Sequence, residues 1–593
     1  MIQSSNHSIA SFAIATAAAN CQHGLITMRW QLDTADNDKA ALLALELEIS
    51  PLLGRLLVLR GITDPEAAQN FLNPRLSQLH DPYLMAGMRE AEERLKRAIA
   101  NKEKILIYGD YDVDGTTAVV VLLAGLERLG ARVEIHIPDR LKDGYGMRVP
   151  VVERAAAEGV TVLLSVDTGI REHEVVARAQ ELGIDCIITD HHLPKESLPP
   201  AHALLNPRRL DCQYPDKNLS GVGVAFKLVQ GLLGDGMTDA LLQSFLKIVA
   251  IGTIADVVPL VGENRVIAKF GLDGLRRPAA PGLTALMEVA RLDGKTPTAG
   301  DIAFRVAPRM NAAGRMEDAR AVIDLLRTDN AIKARKIAGH MDQLNSERQR
   351  AEETILNEID ERVKAQPDIG ERYSLVFAGD GWHRGVIGIV AQRVVDRHYR
   401  PALVIGVEDG TGQGSGRSIA NFHLLNALTD CESVFERYGG HAAAAGFALP
   451  SSKIGELTER FEAYSRRNLT PQDLVPLLRV DAEVDLDQMD WPVYEQLKRM
   501  EPFGMGNPTP VFVARGLRLT LPPKVVGEKH LKMKVGNGTR DLDAIGWRKG
   551  DQAKLLGPGD TIDVAFTLDE NTWQGMSSLQ MVIKDLQVGG IEP

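Results

Sequence analysis

Residues 104–115 read KILIYGDYDVDG, a short apolar run that stops at a glycine and three aspartates. A run of this length bounded by turn residues is the pattern of a strand buried on both faces. Downstream, RVEIHIPD (132–139), VTVLLSVD (160–167), DCIITD (185–190) and ALLNP (203–207) repeat it. Segments with helical spacing at 115–129, 149–158 and 172–182 separate them. This alternation predicts an α/β domain with a doubly wound parallel sheet over 101–329. In such sheets ligands bind beyond the carboxyl ends of the strands.

The flanks have other periodicities. Residues 28–100 form a helical lead-in, with apolar positions at helical spacing in LLALELEISPLLGRLLVLRG (42–61) and MREAEERLKRAIA (88–100). Residues 222–350 are mostly helical. A charged stretch over 330–367, closed by Pro367, is expected as a long, partly exposed connecting helix. A second, smaller α/β domain follows over 368–470, with strands in YSLVFA (373–378) and PALVIGV (401–407). Over 471–593, five strand-like runs separated by Gly, Asn and Pro predict an OB-like β-barrel. The runs are VFVARGLRLTL, HLKMKVGNG, DLDAIGW, DTIDVAFTL and SLQMVIKDLQV. Residues 1–27 are expected to be an unstructured tail or an over-extended start. The apolar IASFAIATAAA (9–19) resembles a signal peptide, but no Lys or Arg precedes it.

With 593 residues, 44% of them hydrophobic and 25% charged, the chain has the composition of a multidomain globular protein. No segment reaches the roughly 20 apolar residues of a membrane span. Cys21, Cys186, Cys212 and Cys431 are scattered, which excludes a zinc ribbon and suits a reducing, cytoplasmic setting. A formal net charge of −11 excludes a broad basic coat for duplex DNA. It leaves room for a carboxylate-rich metal site beside a local basic track.

Acidic and imidazole groups gather at the strand ends. If the first strand continues, Asp110, Asp112 and Asp114 point to one side by alternation, and Gly115 permits a sharp entry into the helix. Asp167 ends the third strand, and Asp190, His191 and His192 end the fourth. Asp256 lies in the apolar IVAIGTIADVVPL (248–260), where a carboxylate needs a partner. Oxygen donors with an imidazole suit Mn²⁺ or Mg²⁺. Two such ions about 3.5–4 Å apart activate water and clamp a phosphate.

The ordered motifs DYDVDG, SVDTGI, TDHHLP and TIADVVPL resemble the DHH phosphoesterase superfamily. With PRMNAAGR (308–315), GWHRGVIGIVA (381–391), GSGRSI (414–419), YGGHAAAAGF (438–447) and EPFGMGNPTPVF (501–512), the chain resembles its RecJ family of single-strand-specific exonucleases. The resemblance implies 5′-to-3′ hydrolysis of single-stranded DNA to nucleoside 5′-monophosphates, in DNA repair and recombination. It implies that Asp112 and Asp114 each bind one metal ion, that Asp167 bridges both, and that His191 and Asp256 complete the ligand set of the second ion. His192 would contact the scissile phosphate or protonate the leaving oxygen, with Asp110 and Asp190 in support. Tyr108 stands where some relatives place a metal-binding histidine.

For the nucleic acid, Arg140 follows the second strand, Arg305, Arg309 and Arg315 cluster in FRVAPRMNAAGR, and Arg417 is expected in a Gly/Ser-rich turn with Ser415. The resemblance implies that Arg140, Ser415 and Arg417 hold the 5′-terminal phosphate. Asn311, Arg315 and His441 would face the metals and the scissile phosphate. Lys524, Lys529, Lys532 and Lys534 add positive charge to the barrel beside His530. Helicases and single-strand-binding protein are implied partners of what is expected to be a monomer. The competing readings are a DHH phosphodiesterase on short oligoribonucleotides or cyclic dinucleotides, and a non-catalytic nucleic-acid scaffold. The additional C-terminal barrel favours a long polymer, and the retained carboxylates favour catalysis.

Overall fold

The computed structural model describes residues 28–140, 144 and 146–589; the tail expected over 1–27 lies outside them. The chain divides into two compact units, one made of Leu32–Leu344 and the segment from Val480 onward, the other chiefly of Asn345–Arg479.

The first unit is built on a five-stranded, wholly parallel sheet. In spatial order its strands are Arg132–His136, Lys104–Tyr108, Val160–Val166, Asp185–Thr189 and Ala203–Leu205. In chain order this is 2-1-3-4-5, so the direction of winding reverses between Lys104–Tyr108 and Val160–Val166. Alternation along the first strand separates two cores. Ile105 and Ile107 pack with helices Val113–Arg128, Gly221–Leu233 and Asp239–Ala255 on one face. Leu106 and Tyr108 pack with Val149–Ala157 and His173–Glu181 on the other.

The C-terminal strands of this unit close a barrel. Phe512–Leu519, His530–Gly536, Asp541–Gly546, Met576–Val588 and Thr561–Trp573 pair in that order, and the last pairs with the first to shut the ring. The single parallel pairing, Asp541–Gly546 with Met576–Val588, gives the order 1-2-3-5-4-1 of an OB-type barrel.

The lead-in helices do more than precede the sheet. Leu43, Leu53, Leu56, Leu57 and Phe71 share one buried core with Met500, Phe512, Leu531 and Phe566 of the barrel region. Arg265 joins these parts chemically. Only 2% exposed, it donates through Nε to the Phe71 carbonyl (2.8 Å), through Nη1 to Met500 (2.9 Å) and Pro502 (3.4 Å), and through Nη2 to Arg499 (3.2 Å) and Glu501 (2.7 Å). Its guanidinium also lies 3.8 Å from the Phe71 ring centroid. Burial, then the nearby Arg60 charge, lowers its pKa to about 9.

Helix Ala331–Ala365 leads into the second unit. There the strands run Arg437–Gly440, Ala444–Pro450, Thr411–Arg417, Ala402–Glu408 and Leu375–Asp380, with only the last pair parallel. The GSGRS segment is therefore not a turn. Ser415 and Arg417 lie on an inner strand paired on both sides, so its backbone donors serve the sheet. Its glycines alternate inward because side chains would not fit; a Cβ on Gly414 would lie 2.1 Å from the Phe447 ring. The alanine run after His441 enters a strand, Ala444–Pro450.

Replacing Arg265 by Lys removes the five-donor fork and strands several buried carbonyls. We expect Arg265→Lys to lower stability by at least about 2 kcal/mol, read as a fall in the thermal unfolding midpoint; an unchanged midpoint would show that these carbonyls are satisfied otherwise.

Candidate metal centre

The sheet's winding reverses between the strands that precede Asp110 and Asp167, which opens a crevice at their carboxyl ends. A cavity of about 320 Å³ lies there, lined by Asp110, Tyr111, Asp112, Asp114, Arg140, Asp167, His192, Asp256, Asn311 and Arg315.

The first three aspartates reach this cavity by a different route from strand alternation. The strand ends at Tyr108, and Asp112 is the N-cap of helix Val113–Arg128, its Oδ1 accepting from the Gly115 N–H (3.0 Å). Asp114 sits in the first helical turn. Both its oxygens accept backbone N–H groups, from Gly221 (2.6 Å) and Val222 (2.9 Å), where helix Gly221–Leu233 begins. Gly115 is needed for space: a Cβ there would stand 2.7 Å from Asp110. Gly221 is needed for the same reason, since a Cβ on it would stand 2.7 Å from Asp167.

Asp167 has φ 60, a left-handed conformation uncommon for a residue with a side chain. His191 Nε2 lies 3.1 Å from Asp167 Oδ1, 3.5 Å from Asp256 Oδ2 and 3.9 Å from Asp114 Oδ2. Asp256 caps the C-terminus of Asp239–Ala255. Asp190 points away from this cluster and frames the turn: its Oδ1 accepts from the backbone of His191 (2.7 Å) and His192 (3.0 Å) and pairs with His192 Nδ1 (2.7 Å). Its Oδ2 accepts from Ile170 N–H (3.0 Å).

The electrostatics are those of crowded buried acids. Burial, then the Asp112 charge, pushes Asp110 up to about 8 and Asp114 up to about 7. Burial, then Asp114, lifts Asp256 to about 9, and Asp167 lies well above the usual carboxylate range for the same reasons. Burial, reinforced by the His192 charge, lowers His191 to about 4. Burial opposes the charges of the Asp190–His192 pair, yet their mutual hydrogen bond outweighs it; Asp190 is lowered and His192 raised.

The donor set fits divalent cations. Asp110 Oδ1, His191 Nε2 and Asp256 Oδ2 are buried without a hydrogen-bond partner. Among the described residues, three groups have ligand atoms within 4.8 Å of one another: Asp110–Asp112–Asp167, Asp114–His191–Asp256 and Asp167–His191–His192. Asp110, expected as a supporting group, thus stands among the atoms positioned to coordinate. Tyr108 does not line the cavity; it is fully buried, its hydroxyl donating to the Gly146 carbonyl (3.3 Å).

Asn311 and Arg315, one helical turn apart on Ala307–Met316, both line the cavity, as does Arg140. Arg305 and Arg309 are engaged elsewhere, in ion pairs with Asp301 (2.9 Å) and Asp342 (2.8 Å). In the second unit, Arg417 Nη1 donates to Ser415 Oγ (3.1 Å), and the bare Cα of Gly388 lets both side chains approach helix Arg384–His398. His441 is exposed, its backbone N–H bonded to Ala444 (2.8 Å).

Two residues of this site carried no clear signal in sequence. Asn206, fully buried, donates to the His192 carbonyl (2.9 Å) and accepts from Arg208 N–H (2.8 Å), so it holds the histidine turn from below. Tyr111 lies under Arg140, whose guanidinium is 4.8 Å from its ring centroid; burial, then the Asp110 charge, raises its phenol to about 12.

Fold and site together define a DHH-family protein. The family model of the DHH N-terminal domain matches 104–253, that of the DHHA1 domain matches 371–466, and that of the RecJ OB domain matches 480–585. The chain is 39% identical to the single-stranded-DNA-specific exonuclease RecJ of Bacillus subtilis, over 95% of this chain and 71% of that protein. To the Escherichia coli protein of the same name it is 35% identical, over 91% and 96%. The crystal structure of RecJ from Thermus thermophilus in complex with Mn²⁺ superposes with a TM-score of 0.81 at 31% identity, covering 95% of this chain and 80% of that one. The chain belongs to the RecJ family.

The raised carboxyls set a pH dependence. The folded, metal-free protein holds protons that the unfolded chain releases above about pH 4. Stability from this source is full at low pH and is lost as pH rises through the values of Asp114, Asp110 and Asp256, about 7 to about 9. Lowered His191 acts with the opposite sign but only below its ordinary value. Chelated protein should therefore melt at progressively lower temperature from about pH 6.5 to about pH 9. The rise in Tm on adding Mn²⁺ should grow over that range, because fewer protons must be displaced. A pH-independent Mn²⁺ shift in a thermal scan would contradict this.

Proposed function

We propose that this chain is a metal-dependent exonuclease that removes nucleoside 5′-monophosphates from the 5′ end of single-stranded DNA. The observation that carries the reading is the convergence of Asp110, Asp112, Asp114, Asp167, His191 and Asp256 at the sheet's winding reversal, in a chain that also carries an OB-type barrel.

Asp110 and Asp112 would hold one divalent cation and Asp114, His191 and Asp256 the other, and Asp167 would contribute a carboxylate beside both groups. Two Mn²⁺ or Mg²⁺ ions supply, when bound, activation of the attacking water and neutralisation of charge on the phosphate. Cleavage breaks the bond between phosphorus and the 3′ oxygen of the terminal nucleotide, leaving a new 5′ phosphate on the shortened strand. His192, held through Nδ1 by Asp190 and raised in pKa, gives its proton to that leaving 3′ oxygen. Arg140, Asn311 and Arg315 line the same cavity and orient phosphate oxygens there. Ser415 and Arg417 hold the 5′-terminal phosphate, and His441 of the same unit binds a phosphate of the strand.

We read 101–329 as the catalytic domain, 368–470 as the substrate-binding domain and 471–593 as the single-strand-binding barrel. On the barrel, Lys524 is paired directly opposite Lys532, and Lys529 is exposed nearby. Like charges in register repel unless an anion lies over them, which favours a phosphate backbone. The reading extends to a cytoplasmic monomer supplied by a helicase and by strands coated with single-strand-binding protein. Cys186, Cys212 and Cys431 are buried free thiols, in keeping with a reducing compartment. No helix among the described residues is long and apolar enough to cross a membrane.

The deciding assay presents 5′-labelled single-stranded DNA, duplex DNA and RNA dinucleotides with Mn²⁺. Mononucleotide release from single-stranded DNA is expected; release from RNA dinucleotides alone would sink the reading. Asp167→Ala should lower turnover by at least about a thousandfold while the circular dichroism spectrum is kept, and retained activity would remove its shared role. Arg417→Ala should reduce the preference for a 5′ phosphate over a 5′ hydroxyl more than it reduces kcat. Equal preference in both proteins would remove that contact.

A further inference from the structure

Arg140 lines the carboxylate cavity together with Asp110, Asp112 and Asp114. Among the described residues it forms no hydrogen bond or ion pair with any of them, although Asp110 feels its charge. What its guanidinium packs on is the ring of Tyr111, 4.8 Å from the centroid. Arg305 and Arg309 show the alternative arrangement. Each is paired with a carboxylate, Asp301 and Asp342, which takes up N–H donors and offsets the charge. An aromatic face does neither. The five donors of a guanidinium lie in its own plane, and a ring beneath that plane leaves them free. A stacked arginine is thus placed without being neutralised, and it keeps its fork for a phosphate.

The ring is itself firmly based. Tyr111 lies between Asp110 and Asp112, and Asp112 is fixed as a helix N-cap. Its carbonyl oxygen meets Gly314, where a Cβ would stand only 2.7 Å away. The bare Cα of Gly314 therefore lets helix Ala307–Met316, which carries Asn311 and Arg315, close onto the Tyr111 turn. The charges of Arg140 and Arg315 both act on the phenol, so the ring lies close to each. Its hydroxyl has no hydrogen-bond partner among the described residues. Tyr111 is half-buried and faces the cavity, so it is not a covered core aromatic.

We propose that Tyr111 is the positioning residue of Arg140: its ring holds the guanidinium, uncancelled, where a phosphate of the DNA strand meets the metal centre. The inference rests on the exonuclease reading. A free arginine side chain samples many rotamers, and ordering it on a phosphate weakens the contact. The ring orders it beforehand. The negative face of an aromatic ring is what attracts the cation, so a phenyl group would serve and an aliphatic one would not.

The test measures kcat/KM of the full-length enzyme with Mn²⁺ on a 5′-phosphorylated, single-stranded 20-mer. Tyr111→Leu should lower kcat/KM at least about fivefold, the scale of one cation–π contact. Tyr111→Met should do the same, and unchanged melting temperatures check the fold of both. Tyr111→Phe, which keeps the ring, should recover most of the loss. In an Arg140→Ala background, Tyr111→Leu should lower kcat/KM by less than about twofold, because the ring then has no cation to place. The Mn²⁺ concentration for half-maximal activity should be the same in Tyr111→Leu as in the unsubstituted enzyme. An equal loss in the Arg140→Ala background, or a raised Mn²⁺ requirement, would overturn the inference and tie Tyr111 to the aspartate turn alone. A loss in Tyr111→Phe as large as in Tyr111→Leu would overturn it in favour of a contact from the hydroxyl to the strand. Inactivity of the unsubstituted enzyme on every DNA would overturn the exonuclease reading, and this inference with it.

Discussion

Mutual repulsion among buried carboxylates is the constraint around which the first unit is organised. Asp110, Asp114 and Asp167 are each under 5% exposed and lie within reach of Asp256 and Asp112. Without cations such a cluster is tolerated only by taking up protons, which is the direction in which all four raised groups move. The scaffold compensates with oriented backbone dipoles. The start of helix Gly221–Leu233 gives two N–H groups to Asp114, and the start of Val113–Arg128 gives one to Asp112. Glycines at 115 and 221 allow these helices to approach the carboxylates closely. The positive φ of Asp167 is maintained in the same crowded place, where strain of this kind is often retained for function.

A second buried charge plays a purely structural part. Arg265 has no carboxylate partner among its hydrogen bonds; backbone carbonyls from the lead-in and from the segment before the barrel solvate it. Those carbonyls point inward because the chain turns there. The guanidinium fork satisfies several at once, as an ammonium would not. The lead-in and residues 499–502, which precede the barrel, are thereby tied to helix Gly262–Leu275, which follows Asp256 in the chain.

Much of this was legible along the chain. Buried parallel strands announce themselves as uniform apolar runs, and the aspartates and histidines stood at their ends in SVDTGI and TDHHLP. The five barrel strands were separated by unambiguous turn residues. Two local readings failed for one reason, that periodicity does not state where a strand stops or starts. DYDVDG has strand-like alternation, but Asp112 caps a helix, because its carboxylate satisfies a helix N–H that would otherwise lack a partner. GSGRS has turn composition but is a central strand, because its glycines admit the Phe447 ring and the Leu403 and Leu424 side chains.

By itself, then, the order of residues determined the element types, the parallel α/β core, the barrel and the kinds of atom available for metal and phosphate. Tertiary structure decided which of those atoms meet. It placed Asp110 beside Asp112 and Asp167, assigned Arg305 and Arg309 to ion pairs, set Asn206 beneath the histidines and joined the lead-in to the barrel. Most of these contacts join segments far apart in the chain, and they are set by the winding reversal of the sheet and by close packing. Neither leaves a local periodic signal.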